Sequence, residues 1–239
     1  MRVLVATGLY PPEIGGPATY ARMIEAELPP RGIDVTVVPF GTVRRYPRVM
    51  RHALYTWKLF AHARTADVIY ALDPHSVGWP ALLVATLRRK RLLVRLGGDY
   101  AWEIGCARCG MEKTLDAYTA DKSGVPVWVR FLAWMQTFMV RRAERVIVPS
   151  QYLGRIVASW GIPEGKITVI YSVLFPLAVT ADRATLRREL GYTYPTIVSA
   201  GRLVPWKGFR GLIEVVKAVR EQFPQLQLVI AGDGTERAA

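Results

Sequence analysis

Short apolar runs rich in Val, Ile and Leu recur along the chain at 2–6, 34–38, 67–71, 91–96, 144–149, 166–171, 196–200 and 226–231. Each is bounded by Gly, Pro or charge, as strands buried on both faces are. Helical spacing separates most of them. From Pro17 to Leu28, Tyr20, Met23, Ile24 and Leu28 fall on one face, Pro17 suits a first turn, and Gly32 ends the unit. A β-α-β unit is therefore predicted by residue 38, and the alternation that follows predicts a parallel sheet covered by helices: an α/β fold.

Residues 103–143 depart from the alternation. They read as irregular at first, notably over Lys113–Gly124, and then as a helix from Val125 to Arg142. Trp128, Phe131, Leu132, Met135 and Phe138 sit at core spacing on that helix, so interior packing is expected, with an acceptor-binding lip as the alternative. Further on, Val173-Leu174-Phe175-Pro176 leads into Thr180-Ala181-Asp182-Arg183, which reads as a linker and the cap of a helix ending near Leu190-Gly191. Two domains are expected, 1–176 and 177–239, the second incomplete.

The chain has 239 residues, 51% of them hydrophobic, enough for a sizeable core. No apolar run approaches the ~18 residues of a membrane span. The start Met1-Arg2-Val3-Leu4-Val5-Ala6 reads as a first strand rather than a signal peptide, which predicts a cytoplasmic protein. Cys106 and Cys109 form a lone Cys-x-x-Cys with neither a second pair nor a nearby His, in a stretch expected to be irregular. Incidental thiols are the reading, and no metal site is expected.

The net charge of +13 is uneven: 23 basic against 13 acidic residues up to position 176, and 9 against 6 beyond it. Arg44, Arg45, Arg48, Arg51 and Lys58 fall in one acid-free stretch with Trp57 and Phe60, predicted to be helical. That mixture suits an anionic membrane surface, at the inner face for a cytoplasmic protein; a solvated helix face is the alternative. No nucleic-acid recognition signature accompanies it, and no nucleic-acid partner is expected.

In an open parallel sheet ligands gather at the carboxyl ends of the strands. After the first strand stands Thr7-Gly8-Leu9-Tyr10-Pro11-Pro12-Glu13-Ile14-Gly15-Gly16, where Gly15 and Gly16 let backbone N–H groups approach a phosphate. After the third comes Asp73-Pro74-His75-Ser76, with Asp73 or His75 expected to cap the next helix. After the fourth comes Gly97-Gly98-Asp99-Tyr100, where Asp99 suits a sugar hydroxyl or an electrostatic role. After the seventh comes Gly201-Arg202-Leu203-Val204-Pro205-Trp206-Lys207-Gly208. There an Arg fork and a Lys charge beside a helix start suit a diphosphate. The last strand ends in Gly232-Asp233-Gly234, glycines that let a loop pass close to a nucleotide.

Taken together, Pro-Pro-x-x-Gly-Gly, Gly-Gly-Asp, Val-Pro-Ser-x-x-Leu at 148–153, Gly-Arg-Leu-x-x-x-Lys-Gly at 201–208 and Gly-Asp-Gly-x-x-Arg at 232–237 resemble the family 4 retaining glycosyltransferases of the GT-B fold. The resemblance implies a Rossmann-like acceptor domain followed by a Rossmann-like donor domain, here C-terminally truncated. It implies a nucleoside-diphosphate sugar as co-substrate, no cofactor, no metal, and a glycan or lipid-linked acceptor. By the same resemblance Arg202 and Lys207 stabilise the departing diphosphate, with Asp99 near the sugar as a third catalytic candidate. Gly15, Gly16, Gly201, Gly232 and Gly234 line the donor, and Glu13, Tyr100 and His75 lie on the acceptor side. Gly97-Gly98 stands where many members carry His-Gly.

Two readings of a different kind remain. One is a non-catalytic fragment whose basic N-terminal domain binds membrane or polyanion. The other, a nicotinamide oxidoreductase, lacks the GxGxxG it requires after strand one. Self-association is expected through the strand at 226–231, whose Leu228, Val229 and Ile230 would be poorly covered.

Overall fold

The computed structural model describes residues 1–173 and 181–237. The chain divides into two compact units, Met1–Ile104 with Leu115–Ser172 and Gly105–Thr114 with Val173–Ala239. The expected boundary at 176/177 lies outside the described residues.

The first unit is built on a six-stranded parallel sheet: β1 (Arg2–Thr7), β2 (Asp34–Pro39), β3 (Val68–Ala71), β4 (Arg91–Arg95), β5 (Arg145–Val148) and β6 (Ile167–Val169) in the order β2-β1-β3-β4-β5-β6. Period-two alternation divides β1 between two layers. Leu4 and Ala6 enter the larger core, under α2 (Arg48–His62), α3 (Gly78–Arg88) and α6 (Val127–Arg142), with Tyr55, Leu59, Val84 and Met139. Val3 and Val5 face α1 (Gly16–Glu27) through Ala21 and Ile24. The chain leaves β1 for β2 on one side and returns to β3 on the other, so the order reverses between β1 and β3. Crevices open at the carboxyl ends of strands at such a reversal.

Three predicted elements differ. The stretch after Asp99 is helical, α4 (Tyr100–Cys109) and α5 (Leu115–Ala120), so Cys106, which is buried, and Cys109, which is exposed, both sit on α4. Asp99 starts that helix by accepting the Trp102 N–H at 3.0 Å, a cap that outweighs the helix-weakening Gly105. Helix α2 begins only after Pro47, so Arg44 and Arg45 precede it. On α6 the aromatics predicted to pack inward are partly turned out: Trp128 and Phe131 are exposed, as is Trp134, which that prediction did not include, and the buried face carries Val129, Gln136, Met139 and Val140. The apolar positions of α6 outnumber what one face against the sheet can cover.

After α7 (Gln151–Ser159), capped by Ser150 as the Val-Pro-Ser motif requires, come α8 (Arg183–Glu189), β7 (Thr196–Ala200), α9 (Phe209–Val219) and β8 (Gln227–Ala231). Asp182 caps α8 by accepting from Ala184 N–H at 2.8 Å and Thr185 N–H at 3.0 Å. β7 and β8 pair in parallel as a two-stranded sheet.

Candidate functional site

In the first unit the candidates gather where β1, β3 and β4 end. Gly15 has φ 155°, a conformation open to glycine, and no side chain caps α1, leaving first-turn N–H groups without that kind of partner. A Cβ added to Gly16 would meet nothing within 4 Å, so the approach to this helix start is open. Glu13 is held in place: its Oε2 accepts the Tyr10 N–H at 3.2 Å, and its other oxygen pairs with Arg44, which also donates to the Gly8 carbonyl at 2.8 Å. Arg44 thus braces the loop after β1, Arg45 donates to the Tyr46 hydroxyl at 3.0 Å and Lys58 to Thr42 at 3.0 Å; three cations of the predicted basic stretch have hydrogen-bond partners within the protein.

The β1 and β3 loops meet at Gly8. A Cβ there would lie 2.6 Å from the Asp73 carboxylate and 2.8 Å from Ser76 Oγ. Asp73, not His75, caps the turn into α3, accepting the N–H groups of His75 at 2.9 Å and Ser76 at 2.6 Å. His75 is thereby freed to reach across to α6, where its Nε2 stands 3.2 Å from Gln136 Oε1. Gln136 is 1% exposed and hydrogen-bonds Asp99, itself 2% exposed. With its Oε1 accepting from the imidazole, Gln136 uses its amide N–H toward the Asp99 carboxylate. The Tyr100 ring packs against His75 at 4.2 Å between centroids, tilted by 35°.

This network sets two ionisation equilibria. Burial pushes the Asp99 carboxyl above its ordinary range, opposed by the Trp102 N–H, the Lys122 charge and Gln136. Burial holds the His75 imidazole below its ordinary value, opposed by the Gln136 bond and the Asp73 charge. The structure therefore joins three predicted residues, His75, Asp99 and Tyr100, through a fourth that sequence reasoning missed. Gln136 carries one signal, a lone amide on the buried side of an aromatic helix. Arg95 was also missed: it is 6% exposed, lies 3.7 Å over the Tyr20 ring and donates to Ser172 at 2.8 Å.

In the second unit β7 delivers Gly201, and a single 3-10 turn, Pro205–Lys207, places Lys207 before α9. Arg202 and Lys207 are both exposed. Gly208, at φ 71°, opens α9 with no side-chain cap. Gly232 and Gly234 serve a close approach of backbones: Leu203 N–H donates to the Asp233 carbonyl at 2.9 Å and Glu236 N–H to the Leu203 carbonyl at 3.0 Å. Arg210 and Glu236 close the arrangement with an ion pair at 2.7 Å. The loop that carries both cations is thus clamped by the loop after β8. A surface pocket of the same unit, lined by Tyr194, Val216, Gln227 and Leu228, opens toward the other ends of these strands. Among the described residues no group of three His, Cys, Asp or Glu is placed to hold a metal. No helix there is long and apolar enough to cross a membrane.

Residues 15–172 match the glycosyl transferase 4-like domain, and residues 182–239 match glycosyl transferases group 1. The chain belongs to this glycosyltransferase family, and its fold is of the GT-B class. Among curated relatives it is 25% identical over 251 residues to a GDP-mannose-dependent monoacylated alpha-(1-6)-phosphatidylinositol monomannoside mannosyltransferase of Corynebacterium glutamicum, covering 98% of this chain and 61% of that protein. It is 29% identical over 99 residues to the uncharacterized glycosyltransferase YqgM of Bacillus subtilis, covering 41% of this chain and 26% of that one. Among solved structures, Anabaena HepE in complex with UDP and glucose matches with a TM-score of 0.66 at 18% identity, over 98% of this chain and 61% of that one. This last likeness is one of fold. The chain spans 61% of the length of the mannosyltransferase and of HepE.

Proposed function

We propose that the protein transfers a sugar, with retention of anomeric configuration, from a nucleoside-diphosphate sugar to a lipid-linked or polysaccharide acceptor. The observation that carries this reading is the clamped loop Gly201–Gly208, with two cations beside the uncapped start of α9 in a member of this family. As the bond from the sugar C1 to the diphosphate oxygen breaks, negative charge grows on the leaving group. Cations held in place beforehand lower that barrier.

In this reading Arg202 grips the diphosphate with two donors and Lys207 supplies a point charge, together replacing a divalent ion. Retention places the incoming oxygen on the face the diphosphate leaves, and the acceptor's proton passes to the departing phosphate oxygen. Within the first unit, Gly15 and Gly16 offer N–H groups at the start of α1, which no side chain caps, a place suited to an anion. Asp99, too buried for an open contact, orders the acceptor side through Gln136, His75 and Tyr100. The curated relative dependent on GDP-mannose and the HepE complex with UDP and glucose support a nucleotide-sugar donor and leave two bases to compare.

The test is thermal unfolding with UDP, GDP, UDP-glucose and GDP-mannose, beside the Arg202→Ala/Lys207→Ala variant. A nucleotide-dependent rise that the variant loses is the expected result, and it names the base. No shift with any nucleotide would favour the alternative, a non-catalytic fragment acting through its basic first domain.

A further inference from the structure

Helices α2, α3 and α6 form one layer over the larger core. The Arg88 guanidinium stands 3.6 Å over the Phe60 ring, joining α3 to α2, and Trp79 stacks on Phe138 at 5.5 Å and 3°, joining α3 to α6. The outer side of this layer is unusually apolar. On α6, Val127, Phe131 and Trp134 follow helical spacing and are 81%, 55% and 58% exposed. Phe131, Trp134 and Phe138 form a ladder with centroids 5.8 and 5.6 Å apart. Leu83 and Leu87 on α3 and Met50 and Trp57 on α2 are also exposed. Yet the sequences of the three helices contain no Asp or Glu, and they carry Arg51, Lys58, Arg88, Arg130, Arg141 and Arg142 among their cations.

We propose that this layer is a docking surface for an anionic lipid bilayer. Its aromatic and aliphatic side chains enter the boundary between headgroups and acyl chains, while cations such as Arg130 meet the lipid phosphates. Exposed apolar patches of this kind mark interaction sites, and the missing acids choose the partner. A second copy docked face to face would set one acid-free, cationic surface against another. Single-stranded nucleic acid would stack on the rings, but it would leave Val127, Leu83, Leu87 and Met50 covered by nothing apolar. The inference is independent of glycosyl transfer, since it rests on a surface within the first unit and needs no donor.

The experiment is co-sedimentation of the full chain with phosphatidylcholine vesicles and with vesicles containing 30 mol% phosphatidylglycerol. Binding to the anionic vesicles, weakened by salt and reduced about tenfold by Phe131→Glu/Trp134→Glu, is expected. Both replaced side chains are more than half exposed, so the thermal midpoint should hold; Arg130→Glu and Trp57→Gln provide a second pair. Sedimentation with neither vesicle would overturn the proposal, as would binding insensitive to both pairs. So would loss of lipid binding to a competing single-stranded oligonucleotide that itself binds with higher affinity, or a dimer broken by the same substitutions without any effect on lipid.

Discussion

Gly232 passes so close to Gly201 that a Cβ on Gly232 would lie 1.9 Å from the Gly201 carbonyl oxygen, and a Cβ on Gly234 would lie 2.2 Å from that of Leu203. No backbone can absorb such overlaps without moving. The two glycines therefore decide where the Arg202–Lys207 loop sits, a role distinct from room for a nucleotide.

Gly232→Ala or Gly234→Ala is accordingly expected to destabilise the second unit by about 1–3 kcal/mol and to remove any nucleotide-induced rise in the thermal midpoint. Gly211→Ala is the control. It lies within α9 with nothing within 4 Å of its added Cβ and should stabilise by about 0.5–1 kcal/mol while leaving the nucleotide response intact. Urea unfolding of the three variants, each with and without nucleotide, separates the outcomes.

Gln136 bridges two groups whose ionisation responds oppositely to pH. Asp99, with its folded pKa raised, favours the folded state below the unfolded carboxyl value, and that contribution is lost as pH rises through the folded value. His75, with its folded pKa lowered, contributes above the ordinary imidazole value, and its contribution is lost as pH falls through the folded value. Asp99→Asn keeps an acceptor for the Trp102 N–H while removing the buried charge. Its midpoint should exceed the parent's by a few degrees near pH 8, and the gap should close toward pH 4. Gln136→Leu leaves both neighbours short of a partner and should cost about 1–3 kcal/mol. A flat difference between Asp99→Asn and the parent across pH would contradict the burial argument.

If Lys207 offsets charge on the leaving group, Lys207→Ala should lower kcat about a hundredfold while changing donor KM much less. A change confined to KM would make Lys207 a ground-state binding group only. The measurement is steady-state transfer or donor hydrolysis with the nucleotide sugar that the unfolding assay selects.

Most strands of the first unit were legible because a strand sheltered on both faces reads as a short apolar run closed by Gly, Pro or charge; residues 81–85, just as apolar, lie inside α3, so the flanks and the spacing beyond the run are what separate the two. Helix α4 was not: Tyr-Ala-Trp-Glu-Ile-Gly-Cys-Ala-Arg-Cys has no clean period, and its start depends on the Asp99 carboxylate turning back to the Trp102 N–H. The loop at 201–208 stands out in the sequence as a candidate diphosphate site because an Arg and a Lys fall close before a helix start, but its backbone pairing with the loop after β8 does not, since that contact joins segments some thirty residues apart. Gln136 was hidden because its partners lie on loops some forty to sixty residues earlier, brought near only by the packing of α6 over β3 and β4. The outward turn of Phe131 and Trp134 was hidden for a related reason, since periodicity shows that a helix has an apolar stripe but not how wide a stripe its neighbours can cover.

The second unit presents a further consequence of uncovered surface. Two parallel strands are ordinarily sheltered on both faces. Here Val198 on β7 is 61% exposed, Val215 on α9 60% and Phe223 60%, so apolar surface stands open beside the edges of a sheet that has two strands among the described residues. Edge backbone groups and nearby apolar side chains together template pairing between chains. The 239-residue chain is therefore expected to self-associate at micromolar concentration, with β8 the predicted edge. Val198→Lys should shift the weight-average mass in sedimentation equilibrium toward the monomer by placing charge on that surface. Phe131→Glu/Trp134→Glu, in the other unit, should leave the mass unchanged. A parent chain that is monomeric throughout and unfolds in one cooperative step would refute the expectation.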